Sequence, residues 1–456
     1  MLQKLRNRIF GDENINHNHS QSSSQDSQKD KASPQSNKNS QSQKINNTKG
    51  VLEEHTGAAN DRLSSKNHPK LKYKHSLKVE DSLDKINIHR VYNKKEDFTP
   101  IGQSITNNQY QNHQEQEDQI FTQFGKMLNE NIIDYRTLKT KSWKGIPAVY
   151  RAVVWKIILD YMPPNRELAE EQMNKMRNEY QSYVQSYFEN ETVRQNFSKT
   201  ELNMIKVVDT DVPRTQPLYE IYKAPVIQNM LKRILVVWGL RHPACGYVQG
   251  INEIATPFIL VFLSQYIQLD SKLNYPIPEG LDNISEQVMQ EIEADTYWCM
   301  AKILDKIQDN YTNGQPGIKR SLDKIGQIVQ KIDPALANHF KNERVEYVQF
   351  SFRWILCLLI REFPIQQVFR IFDTYLADDK GFAVLHVYMC AALILKYSKK
   401  IQKMKFNDII LFFQNLPTQN WSDEDIEMLL AEAFVYMSLF EQTQGHIKPT
   451  VNFSWH

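Results

Sequence analysis

The chain has 456 residues and a formal net charge of +2; that length permits about two to three domains, and no dense basic face suited to nucleic acid is evident. The charge is uneven, because residues 1–100 hold 18 Lys or Arg against 12 Asp or Glu, leaving a mildly acidic remainder. Cys245, Cys299, Cys357 and Cys390 show neither C-x-x-C spacing nor a Cys/His cluster, which argues against a thiolate metal site and for structural thiols in a reducing cytosol.

Residues 1–115 are rich in Ser, Gln, Asn and Lys. Stretches such as Ser20–Ser27 and Gln35–Gln43 carry no apolar face. A segment of this kind buries too little surface to offset its ordering entropy, so a disordered tail is predicted. Its basic balance suits contact with acidic membrane surfaces or adaptor proteins and not with nucleic acid. Leu2, Leu5, Ile9 and Phe10 fall near one face of a short basic helix, a pattern that membrane surfaces attract. Ten residues rarely hold a helix alone, and an unstructured terminus is the plainer expectation. The start has no continuous apolar core of the kind a signal peptide needs.

From 116 to 445 the pattern is helical and predicts one large all-α domain. Ala148–Tyr161 carries Val149, Val153, Ile157 and Leu159 around Trp155 and should stop before Pro163-Pro164. Pro225 suits a first helical turn, with His242-Pro243 ending that helix. A helix over Ile251–Ile267 is bent or begun at Pro257, and Glu286–Gln308 is amphipathic. Arg344–Glu362 and Phe382–Tyr397 are apolar nearly all round and should be interior. His386 therefore reads as a core histidine. Pro364 opens a helix through Leu376, and Ser422 with Asp425 resembles a capping box. The longest apolar runs, Pro257–Leu263 and Trp354–Ile360, fall far short of a membrane span.

The chain has no Walker loop, no dinucleotide fingerprint, no G-x-S-x-G elbow and no H-E-x-x-H helix. What it offers instead is two side chains at helix edges. Arg214, after Pro213 and before Thr215 and Pro217, sits on a turn, with Asp211 three residues earlier able to hold it. Gln249 lies between Gly246 and Gly250, which let its loop approach another molecule closely. Tyr247 is placed to pack that loop down, and Asn252 to cap the following helix. A guanidinium in trans and an amide aligning water are two parts that GTP hydrolysis uses. Taken singly, an Arg after Pro is most often a surface residue, and a Gln between glycines most often a turn.

Four motifs in order give these residues a context: Trp143-Lys-Gly-Ile-Pro147 with Arg151 and Val154-Trp-Lys156; Val208-x-x-Asp211-x-x-Arg214; Tyr247-Val-Gln249-Gly250; and Phe369-Arg-Ile-Phe-Asp373. From Trp143 to about Phe440 the chain resembles the TBC domain of Rab GTPase-activating proteins, with Val208 for Ile and Phe372 for Trp as its departures. Arg241–Asn252, Ile292–Met300, Ile307–Thr312 with Gln315–Ile318, and Asn415–Pro417 are similar to the Golgi-linked branch called member 22.

The resemblance implies a V-shaped all-α TBC domain acting on a Rab in its GTP state. It makes Arg214 the arginine finger, and Gln249 the stand-in for the Rab's own glutamine. Asp211, Tyr247, Asn252, Arg151 and Asp373 would support the site or the fold. GTP and Mg²⁺ would be carried by the Rab, with no cofactor held by this chain. The expected place is cytoplasmic, peripheral to Golgi or other endomembranes. The rival is a non-catalytic Rab-binding scaffold, distinguished by whether Arg214 and Gln249 share one exposed surface. A purely structural helical protein would instead show a broad exposed apolar patch.

Overall fold

Capping chemistry starts many of the helices. The computed structural model describes residues 107–268 and 280–444, with side chains described over 118–268 and 280–440. The tail expected over 1–115, Met1–Phe10 included, lies outside them except for its last residues. Those belong to α1 (Asn107–Asn129), which begins ahead of the expected boundary near 116 and is anchored by the buried Phe124 and Leu128.

Asp134 caps α2 (Tyr135–Ser142), its carboxylate accepting from the Arg136 and Thr137 amides at 3.0 and 3.2 Å. After α3 (Ala148–Ile158), Asn165 caps α4 (Arg166–Val184), and a short α5 (Glu191–Gln195) follows. A reciprocal Ser198–Glu201 box opens α6 (Lys199–Asp211). Pro225 occupies the first turn of α7 (Pro225–Arg241), as its fixed φ favours. α8 (Ile251–Leu263) and α9 (Glu286–Lys306) follow. The chain continues through α10 (Pro316–Ile332), α11 (Pro334–Asn342), α12 (Val348–Leu356), α13 (Ile365–Ala377) and α14 (His386–Lys396). It ends with α15 (Ser398–Ile401), α16 (Phe406–Gln414) and α17 (Asp423–Gln444), and the predicted Ser422–Asp425 box forms at the last start. Among the described residues there is no β-strand, only one isolated bridge between Ile132 and Asn165.

α8 is buried along its whole length, and packs on α9, α3 and α7. α9 in turn rests on α4 and α7, and α7 on α6. α13 joins the early and late helices by touching α2, α3, α8 and α17. Trp155 of α3 sits at that junction, its ring 5.4 Å from Phe258, 6.2 Å from Phe369 and 5.9 Å from Phe372. Truncating a buried aromatic of this kind costs about 3–5 kcal/mol. A second aromatic cluster joins Phe350, Trp354 and Phe413, with Phe350 stacked on Phe413 at 4.0 Å.

The structure corrects several helix limits. Pro257 does not begin α8 but lies inside it. A proline there cannot bond the carbonyl four residues back, that of Glu253, and the Thr256 hydroxyl donates to that oxygen at 2.7 Å instead. Arg344–Glu362 is not one helix. α12 begins only at Val348 and ends at Leu356, where Leu358 and Leu359 take left-handed φ values of 52° and 61°. The Leu359 amide then donates to the Trp354 carbonyl at 2.9 Å, closing a wider turn. Both leucines are buried, so packing overrides the local steric cost. Phe382–Tyr397 begins as a π-turn, Gly381–Leu385, before α14.

His386 is a core histidine as expected. It lies 3.0 Å from the Tyr375 hydroxyl, and burial lowers its pKa to about 4. All four cysteines are free, and only Cys245 is not fully buried. Burial pushes the thiols of Cys299, Cys357 and Cys390 above their ordinary range.

Candidate functional site

The two side chains singled out in the sequence meet at one buried carboxylate. α6 stops at Asp211 because Pro213 cannot continue it, and a single 3-10 turn, Val212–Arg214, follows. That turn swings Arg214 back over Asp211, which is 1% exposed while the arginine side chain remains 42% exposed. Arg214 Nε and Nη2 donate to Asp211 Oδ1 at 3.0 and 2.6 Å. A charge-assisted pair of this kind fixes the guanidinium plane.

The glutamine loop reaches the same carboxylate from the other side. The α7 helix ends at Arg241, and the Cys245 and Gly246 amides turn back onto the His242 carbonyl at 3.0 and 2.7 Å. Gly246 and Gly250 hold φ values of 60° and 111°, which a side chain would resist. Gly250 also lies close to α12, for a Cβ there would stand 3.0 Å from Leu356 and 3.2 Å from the Cys357 sulfur. Between them, Gln249 Nε2 donates to Asp211 Oδ1 at 3.3 Å, and the Tyr247 hydroxyl donates to Asp211 Oδ2 at 2.6 Å. Burial first, and the Asp211 charge second, hold the Tyr247 phenol well above its usual range, so it remains a donor.

Asn252 belongs to this group but not as a cap. The helix is preceded by Gly250, and Asn252 stands inside the first turn of α8. Its Oδ1 accepts from the Gly250 amide at 3.0 Å, and its Nδ2 donates to the Thr215 hydroxyl at 2.8 Å. Thr215 in turn donates to the Asp211 carbonyl at 3.0 Å. The side chain is thus spent on joining the two loops, which a reading of helix starts alone does not anticipate.

Sequence reasoning also missed Thr215, Gln216 and Glu253. Gln216 Nε2 donates to Glu253 Oε2 at 2.7 Å, and Arg361 Nε stands 3.8 Å from Glu253 Oε1. Burial pushes the Glu253 carboxyl up, opposed chiefly by Arg361. Glu253 directly follows Asn252, and that adjacency was the available signal.

Arg151 and Asp373 form a different cluster. Arg151 donates Nε and Nη2 to Asp373 at 3.1–3.2 Å, and Nη2 also reaches the Ile146 carbonyl at 2.8 Å. Asp373 also accepts from the Ile146 amide at 2.9 Å and from Trp155 Nε1 at 2.7 Å. The carboxylate is wholly buried and its arginine is 15% exposed, so the pair pins the opening segment and α3 onto α13. None of these bonds reaches Arg214 or Gln249.

Among the described residues no group of His, Cys, Asp and Glu is placed to hold a metal ion, and no helix is long and apolar enough to cross a membrane.

The chain has known relatives. The chain is 44% identical over 326 residues to the GTPase-activating protein gyp1 of Schizosaccharomyces pombe, covering 71% of this chain and 62% of that one. It is 37% identical over 326 residues to human TBC1 domain family member 22B, covering 71% and 63%. These matches span less than two thirds of the relatives' own length. Among solved structures, the Ypt/Rab-GAP domain of Gyp1p superposes with a TM-score of 0.66 at 40% identity, covering 71% of this chain and 98% of that one. The Rab-GTPase-TBC domain matches residues 148–402, which contain the Arg214 and Gln249 loops and the Arg151–Asp373 pair. With the family pattern matched over more than half its length, the chain belongs to the Rab-GTPase-TBC domain family.

Proposed function

We propose that the chain is a GTPase-activating protein for a Rab-type small GTPase in its GTP state, completing the partner's active site in trans. The observation that carries this reading is the convergence of Arg214 and Gln249 on Asp211 Oδ1 while the arginine stays substantially exposed. γ-Phosphoryl transfer spreads negative charge over the transferred oxygens, and a guanidinium supplied by a second protein stabilises it. Arg214 is the group for that task. Gln249 orients the attacking water through its amide, the part otherwise played by the GTPase's own glutamine. Asp211, itself fixed by the Tyr247 hydroxyl, holds both side chains ready, so little ordering entropy remains to be lost in the complex. The nucleotide and its Mg²⁺ belong to the partner as substrate. The printed name of the gyp1 relative and the likeness to the Ypt/Rab-GAP domain of Gyp1p support the same reading. The resemblance to the member 22 branch directs it to vesicle traffic at Golgi or other endomembranes.

A scaffold without catalysis would tolerate a finger packed inward. The exposure of Arg214 favours catalysis. The test is a panel of purified Rabs loaded with GTP, scored for phosphate release with and without this chain. At least one Rab should be turned over orders of magnitude faster. A chain that binds Rabs yet stimulates none would establish the scaffold instead.

A further inference from the structure

Immediately after the arginine loop the backbone does something costly. Thr215 is extended, but Gln216 takes φ +45°, a left-handed conformation that a side chain disfavours, and Pro217 follows. Nothing local rewards this, since glutamine has no preference for that region. The reward is distant in sequence. The Gln216 side chain is turned inward, 8% exposed, and its amide meets the Glu253 carboxylate at 2.7 Å. Glu253 is itself buried in the first turn of α8, three residues beyond Gly250, and Arg361 lies beside its other oxygen. The Gln216 carbonyl meanwhile accepts from the Tyr219 amide at 3.0 Å, which starts the next turn.

Arg214 and Gln249 lie on separate loops. Two hydrogen bonds tie the exit of the first loop to the helix that follows the second: Asn252 to Thr215, and Gln216 to Glu253. Only the second is charge-assisted, and only it is bound up with a strained backbone.

We infer that Gln216 and Glu253 are a positioning pair, with Arg361 as its counter-charge, that sets the register between the arginine and glutamine loops. The inference rests on the Rab-directed reading above. The pair touches no substrate. It acts through the placement of Arg214, so its loss should slow the chemical step and spare binding of the partner.

Gln216→Gly gives the sharpest test, because glycine accepts the left-handed backbone without strain while the buried side chain and its amide are removed. A merely structural turn would keep full activity with glycine. A positioning role predicts a fall in kcat of about 10–100-fold with KM nearly unchanged, in a chain that stays folded at the assay temperature although the buried Glu253 loses a donor. Gln216→Glu should be worse, since it sets two carboxylates against each other, and joining it to Glu253→Gln should recover much of the lost kcat by reversing the pair. The measurement is stimulated phosphate release under saturating and limiting Rab–GTP, with thermal melts in parallel. Wild-type kcat in Gln216→Gly, beside an active wild-type chain, overturns this inference and leaves the Rab-directed function intact. A wild-type chain inactive on every Rab overturns that function and this role together.

Discussion

Two arginine–aspartate pairs in this molecule look alike in chemistry and differ in use. In both, a guanidinium donates through Nε and Nη2 to a buried carboxylate. At Asp373 the remaining acceptor capacity is taken by the Trp155 indole and the Ile146 amide, and Arg151 is closed in at 15% exposure. At Asp211 the other donors come from the glutamine loop, and Arg214 stands 42% exposed. The first pair closes a gap between helices. The second keeps a cation oriented at the surface without burying it. An ion pair becomes a tool when its cation keeps a face toward solvent and its anion is fixed by neighbours.

The comparison is broken most directly at Arg214. Replacing it with Ala or Lys should lower stimulated GTP hydrolysis by about 10³–10⁵-fold with folding and Rab binding retained, as phosphate-release and pull-down assays would read. Lysine should not rescue, for it lacks the planar fork that Asp211 grips. Retained activity in either variant would erase the distinction between the pairs.

The opposite outcome is expected at Arg151→Ala. Asp373 would be left buried without its counter-charge, costing about 3–5 kcal/mol, seen as a lowered denaturation midpoint. Activity per folded molecule should persist. A large loss of kcat without loss of stability would place Arg151 in the chemistry. Gln249→Ala should slow the stimulated reaction by about 10²–10³-fold and leave stability almost untouched, because its bond to Asp211 is long at 3.3 Å.

The smallest effect concerns pH. The buried His386 has its pKa lowered to about 4 from an ordinary 6.5 by loss of hydration. The unfolded chain therefore binds more protons between those values, and stability falls as pH drops from about 6.5 toward 4. The full difference is roughly 3 kcal/mol. Equilibrium unfolding at pH 7 and pH 5 should show part of it, and His386→Phe should flatten the slope.

Much of this was written locally in the sequence. Pro225, Ser422 with Asp425, and the glycines about Gln249 announce helix starts and a tight loop through their own stereochemistry. Arg214 and Gln249 were legible as candidates because turn residues place them outside helices and because four motifs in order gave them a context that neither stretch has alone. Their convergence on one oxygen was not, since it depends on helix packing between residues more than 30 positions apart. The same holds for Gln216, whose left-handed turn is supported only by Glu253, and for Leu358 and Leu359, whose φ values contradict leucine's own preference. Asn252 was placed at the correct helix end but given the wrong partner there, because a side chain that can cap can equally bridge.

The distribution of thiols has a practical consequence. Three cysteines are sealed in the interior with their protons held tightly, while Cys245 sits partly open at the root of the glutamine loop, two residues before Tyr247. An environment-sensitive maleimide dye would therefore attach at one native position, beside the surface that the proposed Rab partner would cover. On that reading the wild-type chain offers one labelling site from which docking can be followed, with no engineered cysteine required.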